Sequence, residues 1–400
     1  MSRSTNQLKT KSTNQYVEVK AVTWNKDSHG LFDYENSYYD MKKFQIHNSS
    51  TLFRQNNEIN YRSKTGLDIE QDESSEFLLS VSKNEHMPDK YVIDYQKDSE
   101  GLKTSKPTYL IVRSLKCKDG RSQRGYGLQP GDIMKLGRVE YKIVEIKNSL
   151  GCKKVENQMD VYDQNSLQVF DVDANKTFEE KQARGEDIQC KYCLSEHVAE
   201  TVDPVGNLML YICNCNEGVH FHCLKSWMQY KIISKSTQNV TSYQWKKLDC
   251  EICLVQWPKK IKYQNVIHEL ITLNRPACPY MIIEKTSSDQ SVPSTMNIIV
   301  PNGNDVVKMG RGHQCDLRIS DISVSRIHTH IKFENDQFLA YDNDSKFGTL
   351  ILLTNEYPVK TEKAAIQIGR TVFTFVLKSG TQEGNNPQVQ PIRENDKLNY

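Results

Sequence analysis

Between residues 190 and 253 the chain sets out eight thiol or imidazole side chains: Cys190, Cys193, Cys213, Cys215, His220, Cys223, Cys250 and Cys253. They fall into four close pairs, C-x2-C, C-x-C, H-x2-C and C-x2-C. Eight such donors are what two tetrahedral sites require, because structural Zn2+ is held by four Cys or His ligands. Seven of the 11 cysteines lie in this cluster, while Cys117, Cys152, Cys278 and Cys315 are scattered. The opening MSRSTNQLKTKSTNQ has no apolar stretch, and no run approaches the roughly 20 apolar residues that span a bilayer. The expected setting is therefore soluble and intracellular, in the cytoplasm or nucleus. There, clustered thiols point to metal rather than to disulfides.

A length of 400 residues suggests roughly two to four domains. With 37% hydrophobic and 26% charged residues, folded cores coexist with a very polar surface. Net charge is only +2 and no basic stripe is present, which argues against nucleic acid as a partner.

Residues 1–75 form a polar N-terminal segment, disordered at its start, whose later part offers no firm reading. From 76 to 148 short strand-like runs follow one another (YVIDY, YLIVRSL, DIMKLG, YKIVEI), separated by Gly and Pro turns. Residues 149–187 read as a polar linker and 188–260 as the metal segment. Within the latter, HCLKSWMQYKII (222–233) places Leu224, Trp227, Met228 and Ile232 at helical spacing. NVIHELITL (265–273) predicts a linker helix within 261–277. Residues 278–378 are strand after strand without a helix, the pattern of a β-sandwich. A polar tail, 379–400, is expected to be disordered.

Ligands one, two, five and six can share one metal and the other four a second. This interleaving resembles the cross-brace of RING and PHD domains. The resemblance implies site one as Cys190, Cys193, His220 and Cys223, and site two as Cys213, Cys215, Cys250 and Cys253, with two zinc ions per chain. The ions would supply folding energy that so small and polar a segment cannot draw from apolar residues. GVHFHCLKSWM (218–228) and CEIC (250–253) are similar to the RING-CH signature, and Leu248 stands where PHD fingers usually carry Trp. The short spacing from Cys215 to His220 is nearer to PHD. A RING-CH domain implies a docking surface for a ubiquitin-conjugating enzyme. By position that surface would include Tyr192 and Trp227, and catalysis would be by proximity and orientation, with no covalent intermediate and no catalytic residue. Trp227 also fits a plain core position of its helix. Many active RINGs carry Arg or Lys after the eighth ligand; here it is Leu254.

VKMGRGHQCDLRISDISVSRIHTHIKF, followed by YDNDSKFGTLILL, resembles a forkhead-associated (FHA) domain, a phosphothreonine-binding sandwich. The matching pieces are Gly310-Arg311, Ser325-Arg326-Ile327-His328 and Ser345-Lys346-Phe347-Gly348-Thr349. The resemblance assigns phosphate contact to Arg311 and Ser325, with charge added by Arg326 and Lys346. Phe347 stands where the family commonly has a peptide-binding Asn. LQPGDIMKLGRVEYKIVEI (128–146) resembles the last FHA hairpin, as IQIGRTVFTF does later, so 76–148 reads as a degenerate FHA-like domain without a phosphate site.

The expected fold class is multidomain and mainly β: a degenerate FHA-like domain, a cross-brace RING-CH domain and a C-terminal FHA sandwich. The combination resembles a family common in ciliated protists, and cytoskeletal or ciliary assemblies are candidate partners. The leading expectation is a RING-type ubiquitin ligase or adaptor that recruits phosphothreonine proteins. A non-catalytic scaffold stapled by zinc is the alternative, and a PHD-like histone-tail reader stands third.

Overall fold

The computed structural model describes residues 14–24, 31–35, 39–63, 75–84, 87–95, 106–115, 122–154, 169–173, 175–196, 205–215, 217–286, 294–303 and 305–380. Residues 1–13, 155–168 and 381–400, read above as disordered ends and linker, lie outside them. The protein is mainly β. Strands β1 (Asn14–Trp24), β2 (Tyr39–Ile46), β3 (Ser50–Gln55), β4 (Glu58–Ser63), β5 (Glu76–Asn84), β6 (Met87–Asp94) and β7 (Thr108–Ile111) come first. They are followed by β8 (Tyr126–Gly127), β9 (Ile133–Leu136), β10 (Val139–Asn148), β11 (Gly151–Lys154) and β12 (Val169–Asp171). Helix α1 (Thr177–Ala183), β13 (Met209–Leu210), β14 (Val219–His220) and α2 (Phe221–Tyr230) come next, the last two carrying His220 and Cys223. Next are β15 (Ile233–Ser236), β16 (Val240–Trp245), β17 (Lys260–Tyr263), β18 (Val266–Glu269), β19 (Tyr280–Thr286) and β20 (Ser294–Ile299). The chain ends with β21 (Val307–Gly310), β22 (Leu317–Arg318), β23 (Thr329–Glu334), β24 (Gln337–Asp342), β25 (Thr349–Leu352), β26 (Tyr357–Pro358), β27 (Ala364–Ile368) and β28 (Thr371–Gly380).

Two compact units divide the chain: residues 1–128, 132–139 and 306–400, and residues 129–131 and 140–305. In the first unit one run of strands is ordered β9-β25-β7-β27-β28-β1-β2. Two five-stranded sheets, β26-β6-β5-β3-β4 and β22-β21-β23-β24-β8, accompany it. At the middle of the long run β7 and β25 pair antiparallel, Leu350 opposite Ile111 and Leu352 opposite Tyr109. Tyr109, Leu110, Ile111, Leu350 and Ile351 are all buried, as strands covered on both faces require. Each of these strands is then flanked by the strand that comes two after the other in sequence. β9 lies on β25 and β27 lies on β7. The same trade recurs in the smaller sheets, where β8 lies on β24 and β26 on β6.

The runs β1–β7 and β19–β25 follow a similar strand order, except that β4 pairs antiparallel with β3 and β22 parallel with β21, and their closing strands are exchanged. β28 pairs with β1 in the first unit, and β10 pairs with β19 in the second. Residues 278–378, expected as one sandwich, are divided between the two units, β19 and β20 falling in the second and β21–β28 in the first. Ile366, Ile368, Phe373 and Phe375 of the last hairpin pack with Val17, Val19, Leu52, Leu79, Tyr91 and Ile93. Phe373 and Phe375 are 0% and 1% exposed, and burying each contributes about 1.5–3 kcal/mol. The FHA-like reading of 76–148 likewise starts too late, because its sheet already includes β3 and β4.

In the second unit β15-β16-β20-β19-β10 form one run, with β11 on the far side of β10. A smaller sheet joins β12, β17 and β18. The metal segment does not stand alone: Cys190, Leu210, Leu224, Met228, Trp245, Cys250 and Trp257 share a core with Tyr280, Ile282 and Ile298. The linker helix expected within 261–277 is instead the β17–β18 hairpin. Gln264 and Asn265 at its tip have φ of 49° and 62°, the two consecutive positive values of a tight hairpin turn. The β-branched pair Val266-Ile267 then continues as strand.

Candidate metal centres and recognition loops

Topology gathers the eight donors into two sets, Cys190, Cys193, His220, Cys223 and Cys213, Cys215, Cys250, Cys253. Within each set all donor atoms lie within 4.8 Å of one another. Both C-x2-C pairs sit in turns of one design. Leu194 N–H donates to Cys190 O (2.8 Å) and Leu254 N–H to Cys250 O (2.9 Å). Leu194 and Leu254 take positive φ, 60° and 58°. His220 ends β14, opposite Met209, and its extended backbone caps α2, which carries Cys223 one turn on. Its Nδ1 lies 3.3 Å from Cys193 Sγ and 3.9 Å from Cys223 Sγ.

Donor chemistry fits zinc, since three thiolates with one imidazole in the first set and four thiolates in the second would each form a closed structural shell. Burial raises the Cys250 thiol, but hydrogen bonds from the backbone of Cys253 and Ile252 and from the Cys215 and Cys253 thiols together outweigh it and hold the group down to about 6. In the same set burial and neighbouring thiols push Cys215 up to about 12. Cys253 is likewise held down and Cys213 pushed up, so two thiols of the set ionise readily and two resist it. A bound dication would relieve that resistance.

Tyr192 and Trp227 stack with ring centroids 6.0 Å apart and an interplanar angle of 25°. Both are half-buried, whereas Phe221, Leu224 and Met228 supply the buried face of α2. Lys231 Nζ lies 5.1 Å from the Trp227 ring centroid and 3.5 Å from a Glu251 carboxylate oxygen, linking the stack to the second C-x2-C turn. On these turns Leu194, Ile252 and Leu254 are 71%, 67% and 65% exposed.

The second cluster of candidate residues lies on loops between β21 and β25. Backbone bonds join two of them: Arg311 N–H donates to Ser325 O (3.0 Å) and Gly312 N–H to Arg326 O (2.9 Å). Gly310 permits this approach, because a Cβ there would stand 2.5 Å from Arg326 O. Lys346 N–H donates to Ser325 Oγ at 3.1 Å, bringing in the third loop. That bond uses an acceptor site of the hydroxyl and leaves its hydrogen to donate outward.

His328 is the buried pin. Its Nδ1 accepts from Ser325 N–H (3.0 Å), and Nε2–H donates to Gly348 O (3.1 Å). Burial lowers its pKa, which favours the neutral tautomer these two bonds need. Asp342 fastens the third loop by accepting from the Ser345 hydroxyl (2.6 Å) and Thr349 N–H (2.8 Å).

Arg311 and Arg326 are exposed. Among the described residues neither guanidinium has a partner. Lys346 is different: its ammonium lies 3.2 Å from Asp33. Sequence reading missed Asp33, and it missed Arg113, whose guanidinium lies 2.9 Å from Asp342 and also donates to Ser345 O. No motif surrounds either residue, and only the fold brings them to the loops.

Gly310→Ala is expected to cost about 1–3 kcal/mol in urea unfolding, because the methyl must displace backbone rather than a flexible side chain. The same variant should lose peptide binding as the two loops part.

No curated protein and no solved structure matches the chain. Residues 307–372, which carry Arg311, Ser325, Arg326 and Lys346, match the family model of the FHA domain.

Proposed function

We propose that the chain is a RING-type ubiquitin ligase or adaptor that recruits phosphothreonine partners through its FHA domain. The observation that carries the recruiting half is the meeting of three loops at Ser325, with the Arg311 and Arg326 guanidiniums, unpartnered among the described residues, on the same loops. Arg311 would contact the phosphate in a charge-assisted bond, Ser325 would donate its hydroxyl, and Arg326 would add charge. An unmodified threonine offers none of the acceptor oxygens that reward this arrangement.

For the zinc half, the two ligand sets and the Tyr192–Trp227 stack support a RING-CH module. The stack and the exposed Leu194, Ile252 and Leu254 on the two C-x2-C turns would offer apolar contacts to a ubiquitin-conjugating enzyme. Reconstitution with ubiquitin, activating enzyme and a panel of conjugating enzymes tests this. Wild type should form chains with at least one enzyme, and Trp227→Ala should lower the rate at least tenfold. No chains across the panel would refute the ligase reading.

A second reading is a non-catalytic scaffold in a larger cytoskeletal or ciliary assembly. Leu254 favours it, because the position after the eighth ligand offers no cation to ubiquitin. Among the described residues no helix is long and apolar enough to cross a membrane.

A further inference from the structure

The phosphothreonine reading leaves one member of the cationic set unexplained. Lys346 lies beside Ser325, but its ammonium is bound to a carboxylate from the far end of the chain. Asp33 Oδ2 is 3.2 Å from Lys346 Nζ; the Asp33 side chain is 13% exposed and that of Lys346 45%. The segment carrying Asp33 is anchored. Leu31 and Phe32 are buried at 5% and 1% exposure. Tyr34 N–H donates to Lys346 O at 3.0 Å. The Tyr34 ring lies under the Arg113 guanidinium, 4.4 Å from its centroid, and so close to Gly348 that a Cβ there would come within 2.9 Å. Asp33 also accepts from Glu35 N–H at 3.0 Å, which fixes its carboxylate in a local turn.

We propose that Asp33 is a specificity-determining residue of the peptide site: it neutralises Lys346 and so disfavours phosphothreonine peptides with acidic flanking residues. The inference rests on the phosphothreonine reading above. An acidic flank would otherwise pair with Lys346. Here it meets an ammonium already paired and a second carboxylate nearby, which repels it. Arg311 and Arg326 remain free for the phosphate, so peptides with neutral flanks are unaffected.

The test uses the full chain and two short labelled peptides with a central phosphothreonine, one with Ala and Ser flanks and one with Asp flanks. Asp33→Asn removes the charge and keeps the amide oxygen that accepts from Glu35. It should tighten the Asp-flanked peptide about fivefold at low salt, the scale of a partly exposed ion pair, and the neutral peptide less than twofold. The gain should vanish in a Lys346→Met background and shrink as salt is raised. Phosphate-dependent binding with Asp33→Asn equal to wild type on both peptides would overturn this proposal alone. So would a gain that persists with Lys346→Met. Equal binding of phosphorylated and unmodified peptides by wild type would overturn the underlying reading instead.

Discussion

Stripping the protein with a strong chelator is expected to release two zinc ions per chain and to unfold the 188–260 segment. A structural zinc site supplies roughly 10–16 kcal/mol of apparent binding energy at neutral pH, comparable to the whole stability of a domain, about 5–15 kcal/mol. Trp245 and Trp257, both 3% exposed, lie within the segment in the core it shares with β19 and β20, so its loss should expose them. A red shift of tryptophan emission would report it. Cys250→Ser is the sharper form of the experiment. Cys250 is 0% exposed, and a serine there leaves a weak ligand and a buried hydroxyl. Elemental analysis should fall from two zinc ions to one, and the free energy of unfolding should drop by several kcal/mol. A variant that keeps two ions, or a wild type that holds one or none, contradicts the partition of ligands given above.

Arg311→Ala is expected to weaken phosphothreonine-peptide binding by roughly 10- to 150-fold, the equivalent of about 1.5–3 kcal/mol for a hydrogen bond to a charged group. The fold should not change, because Arg311 holds its loop through its backbone N–H to Ser325 O, and its side chain is exposed. Ser325→Ala should cost less, about 0.5–1.5 kcal/mol, since a neutral hydroxyl is the weaker donor. Its loss also frees Lys346 N–H, so part of that cost is loosening of the third loop. Unfolding curves that overlay wild type, together with lost binding, would separate recognition from stability. Unchanged binding by Arg311→Ala would remove the residue from the site.

Much of both sites was legible because their signals are local. Four ligand pairs at short spacing mark metal wherever the chain goes, and Gly310-Arg311 and Ser325-x2-His328 each name a loop by its own needs. Gly310 has no room for a side chain, and His328 must bridge two backbones. The exchange of closing strands was not legible. LQPGDIMKLG and IQIGRTVFTF carry the same alternation, so either hairpin suits either sandwich, and nothing in a strand names its neighbour. Asp33 and Arg113 were hidden for the same reason, as they reach the recognition loops through that exchanged topology. The 265–273 segment failed differently. Its apolar spacing satisfies a helix, yet Gln264-Asn265 forms a tight turn first, and turn chemistry outweighed periodicity.

The most direct test of the central claim needs no mutation. Pairs of peptides from one library, identical except for phosphate on the central threonine, are titrated against the full chain at physiological salt. Bound sequences should bind at least tenfold more tightly when phosphorylated, and the preference should weaken as salt rises, as charge-assisted contacts do. Equal affinity for the two members of every pair would contradict the account, leaving the FHA domain as a packing module of the fold.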